Sequence, residues 1–111
     1  MTTYVMEVDK IAKTLRALGL VKNEKKFSED WLGKNGSYFS SKKATKCNVG
    51  VPALSNLYKK IAYMADRNTY KAERFNDTLY RELDKCKDTV AEIIRLQVQQ
   101  RVSFGEILYL G

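Results

Sequence analysis

The sequence predicts an all-α chain: four short helices in the N-terminal part, followed by one long C-terminal helix. Three observations carry this expectation. Apolar residues recur at spacings of three and four in several separate stretches, the period of a helix face. The single proline, Pro52, stands where a helix would begin. No run of residues alternates with the period of two that a half-buried strand requires. A length of 111 residues and a hydrophobic share of 44% suit one small core with a long helical extension.

Taken in order, Met6, Ile11, Leu15 and Leu18, with Val8 and Ala12, mark a first helix over Glu7–Leu18, ended by Gly19. Asn23 is a good N-cap for a second helix. Its apolar face is Phe27, Trp31 and Leu32, and Gly33 closes it. Lys34-Asn35-Gly36 is a tight connection with two readings. Asn-Gly favours a hairpin turn, but the flanking residues lack strand alternation. A third short helix over Ser37–Ala44, capped by Asn35, is the preferred reading. Residues 45–50 are polar loop. Val51-Pro52 opens a fourth helix with Ala53, Leu54, Leu57, Tyr58, Ile61 and Met64 on its buried side. Asn68 or Thr69 then caps the long helix, whose apolar positions are Phe75, Leu79, Leu83, Cys86, Val90, Ile93, Ile94, Val98 and Val102. From Leu79 to Gln97 these step by four and three alternately, as a coiled-coil seam does. Ser103 is read as the start of a separate apolar tail, residues 104–110. The division expected is a compact unit at 1–66 and, at 67–111, a long helix that completes the core and mediates dimerisation.

The net charge is +7, with 20 Lys and Arg against 13 Asp and Glu. It is concentrated in residues 1–66, where 12 bases face 6 acids; residues 67–111 carry 8 and 7. Between Asp30 and Asp66 there is no acid, yet that stretch holds Lys34, Lys42, Lys43, Lys46, Lys59 and Lys60. Ordinary surfaces mix their signs. A one-signed stretch points to a polyanion, whose phosphates would be neutralised by these lysines.

The chain has no histidine, which removes His-based triads and His-containing zinc sites. Cys47 and Cys86 are too few and too far apart for a metal site, and are read as structural or free thiols in a reducing cytoplasm. Asp84 with Asp88, and Glu24 with Glu29 or Asp30, sit among lysines as solvated residues rather than as catalytic or magnesium-binding pairs. The six glycines are scattered singly, so there is no phosphate-cradling loop. Neither a signal peptide nor a membrane span is recognisable. The sequence is therefore expected to be a cytoplasmic non-enzyme without cofactor, metal or membrane partner. Trp31, Tyr38 and Phe39 are potential stacking platforms for single strands, but the helical positions of Trp31 and Phe39 read better as core.

Two short helices joined by a glycine turn and followed by a basic loop are the arrangement that lays one helix in a DNA major groove. Over Asn23–Ser28 and Leu32–Ser40 the sequence resembles the phage-repressor-like helix-turn-helix family (lambda repressor-like, Xre/Cro-type). Phe27 looks like its buried leucine, and Ser28 like the small residue that lets the next helix approach. Gly33 matches the turn glycine, Asn35 the recognition-helix cap, and Phe39 the buried anchor. Val51-Pro52 through Ile61 imitates the following helix, so the resemblance spans about residues 7–66. It departs in three places. Ser28 to Gly33 is five steps where the family has four; Lys34 replaces an apolar residue; Glu24 replaces a glutamine that touches the DNA backbone.

The resemblance implies a sequence-specific regulator of double-stranded DNA, a repressor acting by promoter occlusion. Ser37, Tyr38, Ser41 and Lys42 would meet base edges, with Lys34, Lys43, Lys46, Lys59 and Lys60 on phosphates. A homodimer would read two half-sites, its contact made by Leu79, Leu83, Cys86, Val90, Ile93 and Ile94. The competing reading is a helical protein-binding adaptor or inhibitor that docks a protein partner through the C-terminal helix.

Overall fold

The computed structural model describes residues 3–66 and the backbone of 77–110, with side chains of the latter from 78 to 99. The chain is all-helical among the described residues: α1 Val5–Ala17, α2 Glu24–Lys26 running into a π-turn at Phe27–Trp31, α3 Tyr38–Thr45, α4 Val51–Ala65 and α5 Asp77–Leu110. The expected caps at Asn68 or Thr69, and Phe75, lie outside the described residues.

α1 begins earlier than its spacing suggests, and its buried stripe is Val5, Val8, Ile11 and Leu15. Met6 was expected inside but is 57% exposed. One residue on from Val5 is a rotation of about 100° around the helix, enough to carry a side chain out of the stripe. The backbone N–H of Tyr4, just ahead of α1, donates to Asn48 Oδ1 (2.7 Å). At the other end, Gly19 takes φ +77°, a left-handed conformation that glycine adopts without strain.

α4 lies at the centre. Ala53, Leu54, Leu57 and Ile61 are fully buried, and Pro52 sits in the first turn, where no intrahelical N–H is needed. α5 runs back along α4 in the most extensive helix pairing among the described residues. Its Leu83, Cys86, Val90 and Ile93 fill the same core as Phe27, Leu32 and Phe39. At the far end Gln97 is also buried, and its Nε2 donates to the Val49 carbonyl just before α4 (3.0 Å).

This packing corrects the expected dimer contact. Leu83, Cys86, Val90 and Ile93 are 0–6% exposed within a single chain, and Leu79 and Ile94 pack against that core. Their four-and-three spacing serves α4 of the same chain: Leu83, Cys86, Val90 and Ile93 are spent on that core, while Leu79 and Ile94 are half-buried at its edge. Val98, expected on the apolar side, is 40% exposed. The proposed break at Ser103 is also absent: the α5 backbone continues as helix to Leu110. At 34 residues it is about 50 Å long, close to the 56 Å long axis of the molecule.

Candidate nucleic-acid interface

The site is α3 and the turn that presents it. α2 starts where Asn23 Oδ1 accepts the Lys26 N–H (2.9 Å), the cap expected from sequence. The helix then widens, and Leu32 N–H bonds to the Phe27 carbonyl five residues back (3.1 Å). A π-turn of this kind absorbs one extra residue within a helix. It is the physical answer to the five-step spacing from Ser28 to Gly33. The five steps are taken up within the helix, and Phe27, Trp31 and Leu32 are all buried.

Gly33 closes the helix at φ +68°, and Lys34 N–H bonds to the Ser28 carbonyl (3.0 Å). A Cβ on Gly33 would stand 2.7 Å from Asn56 Nδ2, which itself donates to the Leu32 carbonyl (3.1 Å). The turn is thus held from α4. Asn35 does not cap α3 as expected, because the N-cap position falls two residues later, at Ser37. Its Oδ1 accepts the Ser37 N–H and hydroxyl (3.1 and 3.0 Å), forming an Asx turn, and Ser37 is the residue that flanks α3.

Phe39 seats α3. It is fully buried, meets Phe27 edge to face at 5.2 Å between ring centres, and donates its N–H to Ser28 Oγ (3.1 Å). Ser28 therefore does two things at once: it is small enough for close approach and it satisfies a first-turn amide of α3. Trp31 is 3% exposed and Phe39 0%, so both are core and neither is a stacking platform in this fold. With Phe39 inward, the opposite side of α3 carries Ser37, Ser40, Ser41, Ala44 and Thr45, all exposed.

The structure divides the predicted contacts into groups. Ser37 and Ser41 lie on the exposed stripe. Tyr38 does not: it is half-buried, and its hydroxyl accepts the Gly50 N–H (3.0 Å). Its ring carries the Lys34 and Lys42 ammonium groups at 5.7 and 5.4 Å from the centre. The arrangement gathers two cations on one flank of α3. Tyr38 is thus a support for cations where a base contact was expected. Lys46 and Lys59 are exposed, and Lys60 rests over the Trp31 ring at 5.1 Å.

Lys43 leaves the set of free cations. Its Nζ pairs with Glu24 of α2 and with Asp9 of α1 (3.2 Å), and Asp9 also meets Lys13 (3.1 Å). The hydrogen bond to Glu24 is the main influence that raises the Lys43 pKa; burial opposes it and Asp9 adds to it. Burial works to raise the Asp9 carboxyl, but hydrogen bonds and charge from Lys13 and Lys43 outweigh it, holding Asp9 below its ordinary 3.8. Lys43 ties α3 to both preceding helices, and Glu24 is occupied in that tie.

Sequence reasoning missed Lys25, Ala44 and Thr45, and took Ser40 only as a small residue that permits close approach. The Lys25 stem crosses Gly36 so closely that a Cβ there would stand 2.6 Å from Lys25 Cγ. The side chain is exposed and reaches the start of α3. A glycine two residues ahead of a helix is a faint signal of such a crossing. Ser40, Ala44 and Thr45 follow from rotating the helix about Phe39.

Among the described residues no three His, Cys, Asp or Glu side chains come together as metal ligands. Burial pushes the Cys86 thiol up to about 11, with Glu82 adding to the effect, so it is an unreactive filler at neutral pH. No helix of the described residues is long and apolar enough to cross a membrane.

Comparison with curated proteins and with solved structures finds no match. A family model described as a family of unknown function (DUF6626) matches residues 8–103, and the chain belongs to that family.

Proposed function

We propose that the protein is a sequence-specific binder of double-stranded DNA that uses a helix-turn-helix of the phage-repressor type, and that it represses transcription by occluding a promoter. The observation that carries this reading is the presentation of α3. An eight-residue helix is anchored by one buried aromatic, Phe39, and turned outward on small polar side chains. Lys25, Lys34, Lys42 and Lys46 lie at its start, flank and end. A major groove about 12 Å wide admits such a helix, and cations at its edges reach phosphates. Lys59, exposed on α4, and Lys60, over the Trp31 ring, add further positive charge on the next helix.

A homodimer belongs to this reading, because one recognition helix seldom supplies enough affinity and two-fold pairs read two half-sites. Its contact would not use Leu83, Cys86, Val90 or Ile93, which are buried in the core of one chain. The protein acts in the cytoplasm and as a non-enzyme.

Selection from randomised duplexes, followed by titration at two salt concentrations, tests the reading. A palindromic site is expected, with affinity falling steeply in salt. Each phosphate contact contributes a slope of about −0.9 in log K against log salt. Lys59→Ala should therefore flatten the slope by about one unit and weaken all duplexes alike. Lys43→Ala should leave the slope unchanged, since its charge is already matched by Asp9 and Glu24. Duplex binding without sequence preference, or none at all, would sink the assignment.

A further inference from the structure

We infer that the exposed stripe of α3 selects A·T base pairs; the inference rests on the reading of α3 as the helix that enters the major groove. It comes from following the hydroxyl protons. A serine or threonine hydroxyl has one proton to donate and two lone pairs. Ser37 spends its proton on Asn35 Oδ1 (3.0 Å), Ser40 on the Ser37 carbonyl (3.0 Å), and Thr45 on the Ser41 carbonyl (2.8 Å). Each of these groups faces solvent with lone pairs only. Turning a proton outward instead would break that intramolecular bond.

An acceptor surface matches donors. In the major groove these are the adenine N6 and cytosine N4 amines, whereas guanine offers only the acceptors N7 and O6. Ala44 decides between the first two. It stands one turn after Ser40 and Ser41 on the same stripe and exposes a methyl, which complements the thymine C5-methyl, the apolar feature of that groove. The thymine methyl and adenine amine belong to one base pair. Ser41 adds to the match. Among the described hydroxyls of the stripe, its own makes no inward bond, so it can donate to adenine N7 while a neighbouring hydroxyl accepts from N6.

The lysines do not compete for these edges. Lys34 and Lys42 are drawn sideways onto the Tyr38 ring, and Lys43 is held by carboxylates. The cations that would otherwise favour guanine are thus turned toward the groove walls.

The test uses the full chain and the site recovered from randomised duplexes. A·T pairs are expected at the positions that selection fixes most strongly in each half-site. Replacing a fixed thymine by uracil deletes only the methyl, and replacing a fixed adenine by purine deletes only the amine. Each change should weaken binding about three- to tenfold. Ala44→Gly should erase the preference for thymine over uracil, and Thr45→Val, which keeps shape and loses the acceptor, the preference for adenine over purine. Circular dichroism verifies that both variants keep their helices. Fixed G·C pairs facing α3, or uracil and purine duplexes bound as tightly as the parent, would overturn the inference while leaving the DNA-binding reading in place. A chain that selects no duplex removes that reading, and the inference with it.

Discussion

Asp9 illustrates what a single residue contributes here. It lies on the buried side of α1 at 5% exposure, where an unpaired carboxylate would be costly. Lys13 and Lys43 reach it, the second from 34 positions along the chain. Nothing in the local sequence announces that partnership: an acid in the first turns of a helix reads as a solvated residue, and only tertiary packing brings Lys43 across. The pairing has a consequence for acid stability. Because the folded carboxyl titrates below 3.8, its contribution is complete above the ordinary value and is lost as pH falls through the folded value. Asp9→Asn should cost about 1–2 kcal/mol near neutral pH. In urea titrations carried down to about pH 2, the gap between parent and variant should close. A gap that stays constant into acid would mean that the Asp9 charge contributes nothing.

At the scale of elements, legibility follows the range of the determining interaction. The Asn23 cap and the Pro52 start are fixed by neighbours within four residues and were readable from sequence; the Gly33 turn was readable from its glycine, although Asn56 of α4 also holds it. The pairing of Phe39 with Phe27 and Ser28 spans about one turn on each side of Gly33, and followed from the family-like spacing. Burial within α1 was misread at Met6, because a stripe drawn through scattered apolar residues does not fix its own centre. The extra step between Ser28 and Gly33 was visible as a departure, but its resolution was not, since sequence does not distinguish a longer turn from a bulged helix. The π-turn makes this testable. Leu32 N–H already bonds to the Phe27 carbonyl; with the exposed Asp30 deleted, the same pair becomes an ordinary four-residue helical bond. Phe27, Ser28, Leu32 and Gly33 keep their places. The deletion should therefore cost no more than about 2 kcal/mol by chemical denaturation and preserve the helical circular dichroism. Deleting Thr14 from α1 should instead swing Leu15, fully buried, off its stripe and cost more than about 3 kcal/mol. Equal losses from the two deletions would contradict the π-turn.

For the molecule as a whole, the open issue in the sequence was which partner the α5 seam meets. Steps of four and three suit a helix of the same chain as well as a second copy, because both demand one narrow apolar stripe. The N-terminal unit settles the matter through its own shortage of cover. α2 and α3 are short, α4 buries one full-length stripe (Ala53, Leu54, Leu57, Ile61 and Met64), and Leu83, Cys86, Val90 and Ile93 complete the core over it. The basic half and the nearly neutral half are thus one structural body, with α3 on one surface and α5 as its lid. Leu83→Ala or Val90→Ala should each destabilise the entire fold by about 2–4 kcal/mol, in a single transition that takes α3 with it. Protein concentration separates the alternatives. A seam internal to the chain gives the same loss at low and high micromolar protein. A seam joining two copies would give midpoints that rise with concentration, and a mutational loss visible chiefly as weaker association. If Leu83→Ala shifted only the monomer–dimer equilibrium and left the dilute-state melt unchanged, α5 would not be the lid of this core, and the surface that carries α3 would lose the support from which its presentation follows.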